Sequence, residues 1–560
     1  MRLCFVVCSI LLTSFASAIT IVRDGRSDYT IVLPAQASPS QKHAADELQH
    51  FLEQMSGAKL PIETATTPHH AMMLGENADG LGDEGFKLKT DGENLIIAGS
   101  KVRGTMYGVY GLLDKLGVRW FTSTISRVPK MATIEIPSLD ETQIPAFEYR
   151  EMSFKEAMER NWAARNRVNG AGCDLDASVG GKVTYYPFVH SMEQLIPRDL
   201  YKTHPEYFPL VNGQRKDGYV QRCLSNPEVL KLAIAKVEEW MKDHPEAMIY
   251  SVSQNDCGDW CQCDNCKALI KKYGSISGEY IWFVNQVAEA VEKDHPGKLI
   301  DTLAYQFTEK APKNIAPRKN VRVRLCPISV CEAHPYAECT HPNTKNFMKS
   351  LSDWGAITDT LYIWHYNTDF ANYLMPFPDF NEFPADLKLY KKSGVKGVFF
   401  EGAYNTFGAS DSELRSYVMA KCLWNEKENA DKLVTEWMQG VYGAGWKPMR
   451  QWFDLLHEKV RDPDKHFFIY DAPSAYFLTG DTTEKGDQFF DAAEKLAAND
   501  ASALHEIQKA RLCLRYVKIA QSAPDNATLD QFAKDCKSFG VTMLTEGWDV
   551  DTWINAKRKK

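Results

Sequence analysis

The stretch AMIYSVSQNDCGDWCQCDNC (247–266) decides the fold. Ala247, Met248, Ile249 and Tyr250 form an apolar run that gives way to Gln254, Asn255 and Asp256. Four cysteines follow: Cys257, Cys261, Cys263 and Cys266. A buried strand that ends in an amide and a carboxylate is how a parallel barrel presents reactive groups at its C-terminal face. The cysteines directly behind it are placed to fix that loop.

Working outward, the same rhythm recurs. Between about 145 and 425, strand-like segments fall at 147–154, 166–169, 219–224, 248–253, 300–307, 321–327, 361–366 and 395–400. Helical stretches separate them, most clearly at 227–242 and 278–294. Eight strands in this alternation match a (β/α)8, or TIM, barrel. Upstream, strands at 19–22, 29–33 and 94–98 accompany a helix over 40–56, whose Ala44, Leu48, Phe51, Leu52 and Met55 follow a 3.6-residue period up to Gly57. A second helix over 103–116 stops at Gly117. Beyond 411 only helices are predicted, at 412–424, 430–441, 449–460, 483–498, 501–520 and within 529–560. The expected fold class is α/β: a small α/β domain (19–142), a TIM barrel (143–425) and a C-terminal α-helical bundle (426–560).

The first residues, 1–18, have the pattern of a cleaved signal peptide: Arg2, an apolar run over 3–15, then Ala16, Ser17 and Ala18. About 13 apolar residues fall short of the roughly 20 needed to span a bilayer. A secreted or periplasmic protein with no membrane span is expected. A net charge of -8 and a pI near 6.0 leave no basic footprint for nucleic acid. With 13 Trp and 24 Tyr the chain is rich in the rings that sugar clefts use, as large cores also do. An exported hydrolase or binding protein fits this composition.

Asp256 and Glu401 each stand just past a predicted strand, the second after VKGVFF. Two carboxylates across a barrel mouth are what glycoside cleavage needs: one gives a proton to the leaving oxygen, the other stabilises or attacks the anomeric centre. Taken singly, a carboxylate at a strand end is more often a helix cap. Tyr305, Trp364 and Tyr366 lie at other strand ends, with Asn255 beside Asp256, Arg167 near the second strand and His190 in the loop after it. They form the candidate substrate-binding set, rings for sugar faces and polar groups for hydroxyls. Trp364 and Tyr366 fit barrel-core packing equally well. Cys257, Cys261, Cys263 and Cys266 have the density of a structural zinc site or of paired disulfides, and Cys326, Cys331, His334 and Cys339 could complete either. No cofactor is required for the chemistry, and no phosphate-binding glycine loop occurs.

Several ordered motifs carry a resemblance: SVSQND with CQCDNC, SGEYIWFVNQVAEAV, DTLAYQFTEKAPKNI, VRVRLCPISVCEAHP, LYIWHYNTDFANYLMPFPDF and GVKGVFFEG. Over about 145–460 the chain resembles the domain of unknown function 4838 group, associated with glycoside hydrolase family 163. AADELQHFLEQMSGAKLPI and VRGTMYGVYGLLDKLGVRWF resemble the non-catalytic domain that precedes the barrels of hexosaminidases and α-glucuronidases. The resemblance implies a retaining endo-β-N-acetylglucosaminidase acting on N-glycan-like oligosaccharides. By motif position it implies Asp256 and Glu401 as the catalytic pair. Glu401 would be the acid/base, and Asp256, oriented by Asn255, would stabilise the substrate acetamido group; the reverse order of roles stays open. An α-glucuronidase-like hydrolase of acidic polysaccharide, with Arg165, Arg167 and Arg222 as its basic subsite, is the enzyme alternative. A carbohydrate-binding barrel without turnover is the other.

Overall fold

The computed structural model describes residues 18–64, 70–76 and 79–558; the signal-peptide segment lies outside them, apart from Ala18. The chain divides into two compact units, one comprising the residues up to Arg119 with Arg127–Ile144 and Ala177–Gly180, the other Trp120–Ser126, Pro145–Asp176 and Gly181–Lys560.

The first unit is a six-stranded sheet in the order Asp140–Gln143, Phe86–Asp91, Asn94–Gly99, Ala71–Glu76, Thr30–Val32, Ile62–Glu63. Helix Pro39–Ser56 starts on a capping box in which the Ser38 hydroxyl and the Gln41 side chain satisfy each other's backbone N–H groups, and it ends at Gly57 in the left-handed conformation. The second helix, Gly104–Lys115, packs against the sheet through Gly108 and Gly111. A Cβ on Gly111 would lie 2.6 Å from the Phe86 ring, so only glycine allows this approach.

In the second unit six parallel strands run side by side in the order Tyr149–Ser153, Gly397–Glu401, Leu361–Tyr366, Val321–Leu325, Leu299–Ala304, Ile249–Ser251. All six fall on predicted strands, and Leu361–Tyr366 and Gly397–Glu401, buried along almost their whole length, read as near-continuous apolar runs. The ring closes through irregular backbone. Asn169 N–H donates to the Arg150 carbonyl, and Val183 N–H donates to the Asn169 carbonyl. On the other side Ile249 N–H donates to the Thr184 carbonyl and Tyr186 N–H to the Ile249 carbonyl. This is the TIM barrel, with its second and third positions reduced to short bridges.

Two predicted strands are therefore corrected. Segment 166–169 is the end of helix Arg160–Arg165 and a turn, with Arg167 at φ 61°, and only Asn169 pairs with the barrel. Segment 219–224 is irregular backbone outside the sheet, and 183–186 takes the third position. The reason is chemical: Gln221 and Arg222 are buried but polar, and they satisfy themselves on loop carbonyls rather than in a sheet ladder. Helices Ala430–Val441, Trp446–Lys459, Gly480–Leu496, Ala501–Ala520, Asn526–Ser538 and Val550–Arg558 follow the barrel within the same compact unit, so the boundary expected at 425/426 separates two architectures but not two bodies. Among the described residues no helix is long and apolar enough to cross a membrane.

Candidate active site

The C-terminal ends of the barrel strands surround a cavity of about 610 Å³. Glu401 ends the Gly397–Glu401 strand, where Phe399 and Phe400 bury their rings and leave the carboxyl at the rim. Its Oε2 accepts a 2.8 Å hydrogen bond from the Trp364 indole N–H on the neighbouring strand. Parallel register makes this pair: Trp364 stands opposite Phe399, and Tyr366 opposite Glu401. Burial pushes the Glu401 carboxyl up to about 8. The Trp364 hydrogen bond opposes that shift, while Glu546 and Asp256 add like charge. A carboxyl at that value keeps its proton at neutral pH.

Asp256 lines the same cavity from the loop after Ile249–Ser251. It is exposed, and its backbone N–H donates to the Tyr219 hydroxyl at 3.1 Å. Glu546, from the segment before the last helix, is a third carboxylate in the cavity, which the sequence reading missed. Its backbone N–H donates to the Phe370 carbonyl at 2.8 Å, and burial with help from Asp256 raises its carboxyl. No sequence signal marks it, since it follows no strand. A fourth, Glu151, is tied up locally, accepting from the Tyr149 hydroxyl and from the backbone N–H groups of Ala171 and Gly172.

Tyr305, Trp364, Tyr366 and His190 all line the cavity with the carboxylates. The Trp364 and Tyr366 rings lie 6.4 Å apart. His190 donates from Nδ1 to the Gln254 carbonyl at 2.9 Å, which fixes the orientation of its ring in the cavity wall. Exposed Tyr404 and Tyr470 add rings at the mouth.

Two predicted binding residues lie elsewhere. Asn255 is buried behind the cavity: its amide donates to the Val220 carbonyl, and its Oδ1 accepts from Glu193 N–H. It staples the loop that carries Asp256 and does not touch the cavity. Arg167 is buried against the Trp424 ring, 5.0 Å from its centroid. Arg165 lies over Trp120, and Arg222 is spent on Ile196, Val220 and Glu193. Among the described residues, no lysine or arginine lines the cavity. Arg324 lies behind the aromatic lining, 4.7–5.6 Å from the rings of Tyr185, Phe188, Trp364 and Phe399, and 3.6 Å from Asp301.

The cysteines regroup as well. Cys257 stands apart, and its place beside Cys261, Cys263 and Cys266 is taken by Cys223. Cys326 lines the cavity, whereas Cys331, His334 and Cys339 gather with His466.

Acidic, aromatic-lined strand ends on a parallel barrel are the arrangement that glycoside cleavage requires. Residues 120–454 match the family model described as "Domain of unknown function (DUF4838)", and the chain belongs to that family. Residues 24–135 match "Glycosyl hydrolase family 20, domain 2". Among solved structures the chain resembles a family GH115 4-O-methyl-α-glucuronidase with specificity for decorated arabinogalactans, at 13% identity and a TM-score of 0.60, covering 93% of this chain and 77% of that one. It also resembles a GH138 enzyme targeting pectin rhamnogalacturonan II, at 11% identity and a TM-score of 0.55, covering 95% and 78%. No curated protein sequence matches. At such identities the likeness is one of fold, and the chemistry rests on this chain's own cavity.

Proposed function

We propose that the protein is an exported, retaining glycoside hydrolase of the β-N-acetylglucosaminidase type, acting within N-glycan-like oligosaccharides. The observation that carries this reading is Glu401: a carboxyl pushed up to about 8, held by Trp364, in a cavity shared with Asp256. Protonated Glu401 donates to the glycosidic oxygen as the C1–O bond breaks. The substrate's acetamido oxygen closes on C1, with Asp256 accepting from the acetamido N–H. Glu401, now ionised, takes a proton from the water that reopens the ring to product with retained configuration. Tyr305, Trp364 and Tyr366 offer faces to the sugar ring.

The lack of a lysine or arginine among the described residues of the cavity lining weighs against the uronate-specific alternative, because a uronate beside Asp256 and Glu546 would find no permanent cation to pair with. Four carboxylates in one cavity, three of them not tied up by local hydrogen bonds as Glu151 is, weigh against a binding module without turnover. The test is release of sugar from aryl N-acetylglucosaminides, N-glycans and glucuronoxylan fragments by the wild-type protein, Glu401→Gln and Asp256→Asn. Cleavage of the N-acetylated substrates alone, lost in both variants, is expected. Full activity in either variant removes that residue from the mechanism, and cleavage of only the uronate substrate overturns the substrate class.

A further inference from the structure

We propose that this chain binds two structural zinc ions, one in a four-cysteine site and one in a two-cysteine, two-histidine site, which fasten the loops on the catalytic face of the barrel. The first site is Cys223, Cys261, Cys263 and Cys266, whose sulfurs all lie within 4.8 Å of one another. Cys223 Sγ is 3.7 Å from Cys263 Sγ and 3.8 Å from Cys266 Sγ. Those separations are far longer than a disulfide bond, about 2.05 Å. They equal the edge of a tetrahedron built on Zn–S bonds of about 2.3 Å, roughly 3.8 Å. The surroundings suit thiolates: Leu210 N–H donates to Cys261 Sγ at 3.3 Å, and the Ser225 hydroxyl is 3.1 Å from Cys266 Sγ.

The second site is independent of the first. Cys331 and Cys339 Sγ and one ring nitrogen each of His334 and His466 again lie within 4.8 Å of one another. Cys331 Sγ is 3.6 Å from His334 Nδ1 and 3.2 Å from His466 Nδ1, and Cys339 Sγ is 3.9 Å from His466 Nδ1. A tetrahedron of zinc with mixed S and N ligands has S–N edges of about 3.5 Å, the middle of that range. His334 Nε2 lies 3.1 Å from the Asp462 carbonyl, the outer hydrogen bond that sets a ligating imidazole's tautomer and leaves Nδ1 free for metal. Four protein ligands at each site leave no open position, so the role is structural. Binding converts each thiol to thiolate, with its proton released to solvent.

Position gives the sites their purpose. Cys261 and Cys263 follow Asp256 on one loop and Cys266 lies in the first turn of the helix Asp264–Tyr273 behind it, and the first site ties that loop to the irregular segment containing Cys223. The second ties the loop after Val321–Leu325 to the segment of His466, which leads to Tyr470 at the cavity mouth.

The test is metal analysis of the full-length protein, dialysed against metal-free buffer, together with intact-mass thiol counting and visible absorption. Two zinc ions per chain are expected, falling to one in Cys266→Ser and to one in His466→Ala. Wild-type protein with no zinc, or with native mass lowered by disulfide formation at these cysteines, overturns the proposal even if the variants do not fold. Iron seen by its absorption overturns the choice of metal. A single zinc eliminates the site whose variant leaves the count unchanged. None of these readouts depends on activity, so they stand apart from the glycosidase reading.

Discussion

The Glu401 carboxyl sits between opposing influences: burial, Glu546 and Asp256 hold its proton on, and the Trp364 indole N–H favours its release. Activity that uses Glu401 as an acid is expected to fall as pH rises through about 8. Glu546→Gln removes like charge, so the alkaline limb of kcat/KM moves to lower pH; Trp364→Phe removes the donor and moves it higher. Limbs that stay fixed in both variants would show that neither group sets the acid. The same residue makes a stability prediction. A buried acid whose pKa is raised in the folded state favours folding at low pH, and that contribution is lost as pH rises from the ordinary value near 4.5 through about 8. Glu401→Gln should therefore match the wild-type melting temperature at pH 4 and exceed it at pH 9, by an amount on the order of a few kcal/mol in stability. Equal melting at pH 9 would contradict the burial account.

At the level of elements, the loop after Ile249–Ser251 is held by amides rather than by its own secondary structure. Asn255 bonds to Val220 and Glu193, and the Gln221 side chain donates to the carbonyls of Asn255 and Cys257. Asn255→Ala removes the acceptor of the part-buried Glu193 N–H and one of the two donors to the Val220 carbonyl, a cost of about 1–3 kcal/mol, and lets Asp256 drift. A drop in kcat/KM of roughly tenfold or more with the far-UV spectrum unchanged is the expected result, since about 1.4 kcal/mol is tenfold in rate; wild-type kinetics would assign Asp256's position to other contacts. The central strands were legible in the sequence because 361–366 and 397–401 are buried on both faces and read as near-continuous apolar runs, while 321–325 alternates valine with arginine in the period-2 pattern of a strand. The closing positions were not, since Asn169 and 183–186 contribute single bridges without an apolar pattern. Asn255 shows a second limit: an amide at a strand end reads alike whether it faces a ligand or a neighbouring loop. Glu546 and Cys223 reach their clusters across long stretches of chain, which spacing within a motif does not register.

Across the whole molecule, burial raises several carboxyls together: Glu156 and Asp301 to about 7, Asp369 and Glu401 to about 8. All four lose their stabilising contribution as pH rises from about 4 through their folded values, so the melting temperature should decline between about pH 4 and 8, read by calorimetry across a pH series. A flat profile would mean that compensating groups dominate. Limited proteolysis should yield no stable fragment ending near 425, because the C-terminal helices and the barrel form one compact unit. That arrangement has a consequence for biogenesis. Tyr470 and Glu546 reach the cavity from beyond the last barrel strand, so a nascent chain that has already made all six parallel strands still holds an unfinished pocket. Competence arrives late in translation, and a chain threaded through a membrane unfolded would stay inert until its tail had followed it across.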